Sequence, residues 1–322
     1  MTAERGGRRY RSMLFLSGHH LAPMLDSPSS GADAVMFDLE DMVPVAEKAT
    51  ARTTIAHALA ALRTERLGRF VRVNGWSTGN LLDDLLAIVV AGLDGIGLPK
   101  AESVDDVKAL DRILSELERS RGLTPGSIEI IPLAETAAGM WASFDLASAS
   151  ARVKRFYGVA NATQQGDGAR SLNLRLSRSG LEWIPVGVHI LLGARAAGIT
   201  HLLGATAMEP DDLANARALA ELSRGYGADG ALCIHRSHVP ILNEVYSPTA
   251  AEIEHSRAML VAMDAAIRRG ESTAIVDGEL ATYSHARTAL DTIRMAREMG
   301  LPVGPVPDVD VPDYAIDGMH HT

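Results

Sequence analysis

The chain has 322 residues, 47% hydrophobic and 22% charged, a composition that suits one large globular domain or two smaller ones. Its formal net charge is −9 and no long basic run stands against it, which argues against nucleic acid as a partner. The single cysteine, Cys233, excludes an internal disulfide and points to a reducing, cytoplasmic setting.

The apolar run within "MTAERGGRRYRSMLFLSGHH" is too short for a signal peptide core. No later stretch reaches the roughly 20 apolar residues of a membrane-spanning helix. From there, short runs of strand type alternate with longer segments of helix type. The predicted strands are "SMLFLSG" (12–18), "AVMFDLE" (34–40), "RFVRVN" (69–74), "GIGLPK" (95–100), "IEIIPLAE" (128–135), "VKRFYGV" (153–159), "THLLGAT" (200–206) and "GALCIHR" (230–236). Between them, segments such as "EKATARTTIAHALAAL" and "SVDDVKALDRILSELERS" repeat apolar residues at three- and four-residue steps, as amphipathic helices do. Strands alternating with helices imply parallel β–α–β units, and eight of them imply an α/β fold of the (β/α)₈ TIM barrel type. An open doubly wound sheet would want a glycine-rich phosphate turn after its first strand, and "LFLSGHHLAPML" is not one. Beyond residue 245 the pattern becomes helix, short extended piece, helix. The expected organisation is a barrel over 1–245, a helical extension over 246–300 and a poorly ordered tail over 301–322.

Polar residues gather where the predicted strands end, and barrel enzymes build their active sites at those ends. "FDLEDMV" carries Asp38, Glu40 and Asp41, which need cations nearby, and Lys48 and Arg52 lie in the next helix. These carboxylates form an ion-pair network at the mouth, or one or two of them hold a metal's water shell or position a base. Arg72 alternates with Val71 and Val73, so it points away from them, toward the mouth. There a guanidinium can bind a carboxylate or an oxygen that becomes an enolate, or pair with the Asp38 cluster. Glu135 ends an almost wholly apolar strand, so it is a metal ligand or the partner of Arg72 or Lys100. "YGVANATQQGDGAR" holds an amide, Asn161, and a carboxylate, Asp167, and either could face a metal. His19, His20, His235 and His238 read as surface or turn residues, and Cys233 as a packed small side chain.

Taken in order, "RSMLFLSG", "GADAVMFDLEDMV…K…AR", "VRVN", "LPKAES", "IPLAETAAG", "GADGALCIH" and "SPTAAEIE" resemble the citrate lyase beta subunit-like (CitE-like) proteins of the HpcH/HpaI aldolase superfamily. The resemblance covers roughly residues 9 to 300. It implies a barrel that binds Mg²⁺ or Mn²⁺ and a 2-oxo or 2-hydroxy acid, with a coenzyme A thioester, and makes or breaks the carbon–carbon bond between them. It implies Glu135 as a metal ligand, with Asn161 or Asp167 completing the site. It implies Arg72 at the substrate carbonyl, and Asp38, Lys48 and Arg52 as a supporting layer behind the metal's waters. Candidate catalytic residues are then Arg72, Glu40 and Asp41, and candidate substrate contacts are Arg72, Arg11 and Lys100. The resemblance also implies a homo-oligomer, a trimer or hexamer.

This chain departs from the family pattern at three places. Asn161 stands where the family has its second metal carboxylate, Thr282 stands where an extension segment has an acid, and "IHRSH" replaces "IHPSQ". Two other readings therefore stand beside a thioester lyase: an aldolase using free pyruvate, and a family member that binds or assembles without catalysis.

Overall fold

A computed structural model describes residues 8–158, 166–205 and 207–311. The chain divides into two compact units, one ending at Tyr246 and the other beginning at Ser247. Among the described residues no helix is long and apolar enough to cross a membrane.

All eight predicted strands form in the first unit: β1 (Ser12–Ser17), β2 (Ala34–Asp38), β3 (Gly68–Arg72), β4 (Gly95–Leu98), β5 (Glu129–Pro132), β6 (Arg155–Tyr157), β7 (His201–Ala205) and β8 (Gly230–Cys233). Every ladder between them is parallel, in the order β5-β4-β3-β2-β1-β8-β7-β6. The outer two strands meet, because Leu133 bridges Tyr157 and the amides of Ile130 and Ala134 donate to the carbonyls of Arg152 and Tyr157 at 3.0 and 2.9 Å. The result is an eight-stranded (β/α) barrel that is nearly closed, with one thinly bonded seam.

Helices cover the outside, and their starts are written in the sequence. The Val104–Ser120 helix begins at Ser103, whose hydroxyl accepts from the Asp105 amide at 3.1 Å, with Asp105 and Asp106 set against the helix dipole. It buries Val107, Leu110 and Leu114, one face at three- and four-residue spacing.

Alternation along the strands sorts the side chains. Val35, Phe37, Val71, Val73, Ile96 and Ile130 face outward and join Ile55, Leu59, Leu85 and Leu110 of the helices. Met13, Phe15, Met36, Phe70, Leu133 and Leu232 fill the lumen. With a two-residue period, the next inward position after Met36 is Asp38, after Phe70 is Arg72, and after Leu133 is Glu135. The same periodicity that packs the lumen therefore carries three charged residues to its C-terminal mouth.

The opposite end is plugged by Tyr10, whose ring meets Phe70 edge-on at 5.7 Å and lies under the Arg155 guanidinium at 4.4 Å. Arg155 pairs with Glu129 there. Arg11 follows Tyr10 and binds Asp33 through two 2.8 Å hydrogen bonds. It stands before β1, at the N-terminal face, so the substrate contact expected of it is corrected: it closes the floor of the barrel, not the mouth.

The second unit packs two helices, Ala250–Arg268 and Tyr283–Glu298, against an antiparallel hairpin of β9 (Thr273–Val276) and β10 (Glu279–Thr282). The turn residues Asp277 and Gly278 have φ of 52° and 85°, the left-handed pair that a two-residue hairpin loop demands. An extended piece was expected here without its pairing. Leu301, Val303, Val306 and the buried Val309 pack into this unit's core, so ordered chain runs well past the point where a tail was expected.

Gly230 lies so close to the floor that a Cβ there would stand 2.1 Å from the Tyr10 carbonyl oxygen. Gly230→Ala must move backbone, and is expected to cost about 1–3 kcal/mol in denaturant unfolding. A variant as stable as the parent would show that Tyr10 is not fixed in the floor.

Candidate active site

The mouth of the barrel is organised around one buried pair. Asp38 and Arg72 are register partners on β2 and β3. Arg72 Nε and Nη2 donate to the two oxygens of Asp38 at 2.6 and 3.0 Å. The amides of Glu40 and Met42 donate to the same oxygens at 3.1 and 2.7 Å. Asp38 is wholly buried and fully satisfied, which is the condition for keeping a carboxylate out of water. Below the guanidinium lies the Phe15 ring, 5.1 Å away.

With two nitrogens committed, Arg72 presents Nη1 to the mouth. It lies 2.9 Å from Glu40 Oε2 and 3.9 Å from Glu135 Oε1. Glu40 Oε2 is buried and makes no hydrogen bond of good geometry, although Nη1 is near. Burial raises the Glu40 carboxyl above its ordinary range, with Arg72 and Lys100 opposing the rise. Burial likewise pushes Glu135 up to about 7, again against Arg72. The Lys100 amide donates to its Oε2 at 3.4 Å.

Lys100 crosses the mouth. Its ammonium donates to Glu40 Oε1, lies 2.9 Å from Asp167 Oδ2 and 3.7 Å from the largely exposed Asp41. Arg170 holds the other Asp167 oxygen at 2.7 Å. The Lys100 hydrogen bond draws the Asp167 carboxyl below its usual range.

Several expectations need correction. Lys48 does not pair with the Asp38 cluster; its ammonium caps the carbonyls of Leu39 and Glu40 at 2.5 and 2.6 Å. Arg52 turns to the buried Asp84 at 2.7 Å and to the Asn80 side chain at 2.9 Å. Asp84 also receives the Asn74 side chain at 2.7 Å, so it ties the loop after β3 to the helices beside it. Asp38 serves Arg72, not a metal's water. Asp167 has both oxygens in ion pairs and does not stand open beside Glu135. Asn161 lies outside the described residues.

The histidines and the cysteine stay apart from this network. His235 and His238 are held by the carbonyls of Met208 and Glu209 at 2.7 and 3.0 Å. Cys233 is buried and its thiol is pushed up to about 12.

Residues 11–236 match the family model described as HpcH/HpaI aldolase/citrate lyase. The chain belongs to that family. It is 32% identical to the citrate lyase subunit beta of Escherichia coli over 277 residues, 86% of this chain and 90% of that one. It is 32% identical to a (3S)-malyl-CoA thioesterase of Cereibacter sphaeroides, over 89% of this chain and 94% of that one. The solved citrate lyase beta subunit of Mycobacterium tuberculosis, in complex with oxaloacetate and magnesium, superposes with a TM-score of 0.59 at 28% identity, covering 74% of this chain and 98% of that one.

Two residues of this HpcH/HpaI family member escaped the sequence reading. Tyr157 ends β6, and burial together with the Glu135 charge raises its phenol. Alternation along "VKRFYGV" would have turned it inward. Asp84 sits inside a helix, and nothing in its neighbourhood marks it as buried. Beside the network a cavity of about 550 Å³ opens between the loops after β2, β3 and β4, lined by Glu40, Asn74, Trp76, Asn80, Lys100 and Glu102 among others.

The raised Glu135 carboxyl sets a pH dependence. Its folded-state value of about 7 lies above the ordinary 4.5, so its neutral form favours folding below pH 4.5 and that contribution is lost as pH rises to about 7. In metal-free protein, Glu135→Gln is expected to gain in melting temperature over the parent across that window. A difference that stays constant with pH would show that Glu135 is not desolvated.

Proposed function

We propose that this family member is a magnesium-dependent carbon–carbon lyase that cleaves or forms a 2-hydroxy acid thioester through a 2-oxo acid and a thioester enolate. The observation that carries the reading is a surplus of negative charge at the mouth. Among the described residues, the carboxylates of Asp38, Glu40, Asp41, Glu135 and Asp167 are linked to three cations, Arg72, Lys100 and Arg170, which leaves five against three. A divalent cation would neutralise the excess and favour the ionised form of Glu135. The donors are all oxygen, the chemistry Mg²⁺ prefers. Among the described residues no three His, Cys, Asp or Glu side chains are grouped to hold a metal. Glu135, whose nearest ion-pair contact is the longest of the buried mouth carboxylates at 3.9 Å, is the carboxylate that would hold it, with waters and substrate oxygens completing the shell, as suits Mg²⁺.

Such a cation, when bound, supplies Lewis-acid polarisation of the substrate's oxygens. The protein's part follows from its own geometry. In the cleavage direction, Glu40 takes the proton of the substrate hydroxyl on Oε2, the oxygen that receives no hydrogen bond of good geometry. The electron pair of that O–H bond becomes the carbonyl of the departing 2-oxo acid. The electron pair of the broken carbon–carbon bond moves into the thioester, whose oxygen becomes an enolate, and the proton that Glu40 took then passes to the enolate carbon to release the thioester product. Arg72 Nη1 is the donor available to that oxygen, and Asp38 fixes its direction without reorganisation during the reaction. The adjoining cavity supports seating the thioester fragment. The 32% identity to a malyl-CoA thioesterase supports a coenzyme A thioester.

The test is cleavage of malyl-, citramalyl- and citryl-CoA by the purified protein with Mg²⁺, following release of the 2-oxo acid. Arg72→Lys, which loses the bidentate fork, is expected to lower kcat by about 100-fold or more. Glu135→Gln is expected to weaken Mg²⁺ binding as well as turnover. A parent protein that turns over none of the three thioesters and binds no Mg²⁺ would sink the reading.

A further inference from the structure

Lys100 has φ of 48°, a left-handed backbone conformation that is unfavourable for a non-glycine residue. That twist sends the residue two ways. Its amide points at Glu135 Oε2, 3.4 Å away. Its ammonium leaves toward Glu40, Asp41 and Asp167. A lysine stem is four carbons long and flexible. With the amide already at Glu135, the ammonium of the same residue is within reach of that carboxylate. There it would act as an internal cation in competition with a metal.

Asp167 opposes this. Its Oδ2 holds the Lys100 ammonium at 2.9 Å from the far side of the mouth, and its Oδ1 is anchored by Arg170 at 2.7 Å. Asp167 is the first residue of the Asp167–Ser171 helix, so the anchor belongs to a different element from both Lys100 and Glu135. We propose that Asp167 is a positioning residue: it tethers the Lys100 ammonium away from Glu135 and so keeps the Glu135 carboxylate open to a divalent cation. The proposal rests on the metal reading above. It gives Asp167 a role that acts through Lys100, in place of direct ligation.

The experiment titrates Mg²⁺ into the full-length parent, Asp167→Ala, Asp167→Asn, Lys100→Met and the Asp167→Ala/Lys100→Met double variant, with binding read by calorimetry. Melting temperatures without metal check that each variant folds. Either Asp167 substitution alone is expected to weaken Mg²⁺ about tenfold, because a freed ammonium occupies Glu135. In the double variant the affinity is expected to return to within about threefold of Lys100→Met alone, the non-additivity of residues acting through one another. A double variant as weak as Asp167→Ala makes Asp167 a ligand and overturns the tether. So does an Asp167→Ala variant with parental affinity. A parent that binds no Mg²⁺ is a different failure, because it removes the metal reading itself.

Discussion

The buried fork between Asp38 and Arg72 is the constraint from which the rest of the mouth is arranged. A carboxylate with no access to water is costly unless every lone pair is met. Here two guanidinium nitrogens and two backbone amides meet them. The parallel register between β2 and β3 puts the two residues side by side, so the pair is set by the sheet and not by a loop. Once Nε and Nη2 are committed, the remaining nitrogen has one direction left, and Glu40 and Glu135 lie along it.

Around that fixed cation the other charges form a relay. Glu40 stands between Arg72 and Lys100, and Lys100 between Glu40 and Asp167. Each link comes from a different strand end: β2, β3, β4, β5 and the helix after β6. Such a site depends on the barrel being wound correctly all the way round, and in return it draws the loops together at the mouth. Asp84 does a parallel task outside the relay. By binding Arg52 and Asn74 together it fixes the walls of the adjoining cavity.

Strand positions were legible because they repeat at two residues and are bounded by polar turns. The same period made Arg72 legible as inward-facing, and Glu135 as a charge closing an apolar run. What was not legible was the choice among ion partners. Lys48 and Arg52 lie near the Asp38 cluster along the chain, and that nearness suggested pairing. In the fold Arg52 is nearer to Asp84, 32 residues away, while Asp38 is already served by a strand neighbour. Arg11 was misplaced for a related reason: the residue before a strand and the residue after it open onto opposite faces of the barrel. The hairpin turn at Asp277 and Gly278 had its signal in plain view, an Asp-Gly pair between two short β-type runs, but the runs are only four residues each and polar on one side. For Lys48, Arg52 and Arg11 a tertiary choice decided the outcome, whereas at the hairpin the local signal itself went unread.

The barrel is continuous from β5 round to β6, and among the described residues those two strands share a bridge at Leu133 and Tyr157 and a pair of amide bonds. Fewer backbone hydrogen bonds stand between strands at such a seam than along a ladder, so parting them there exposes fewer polar groups. Glu135 and Tyr157 stand at the upper lip of that seam, whereas Asp38 and Arg72 sit within one of the full ladders. The laddered side of the mouth carries the guanidinium, and the seam carries the carboxylate. The 3.9 Å between Arg72 Nη1 and Glu135 Oε1 is therefore a distance measured from a full ladder to the seam, and parting at the seam would change it while the Asp38–Arg72 fork kept its length.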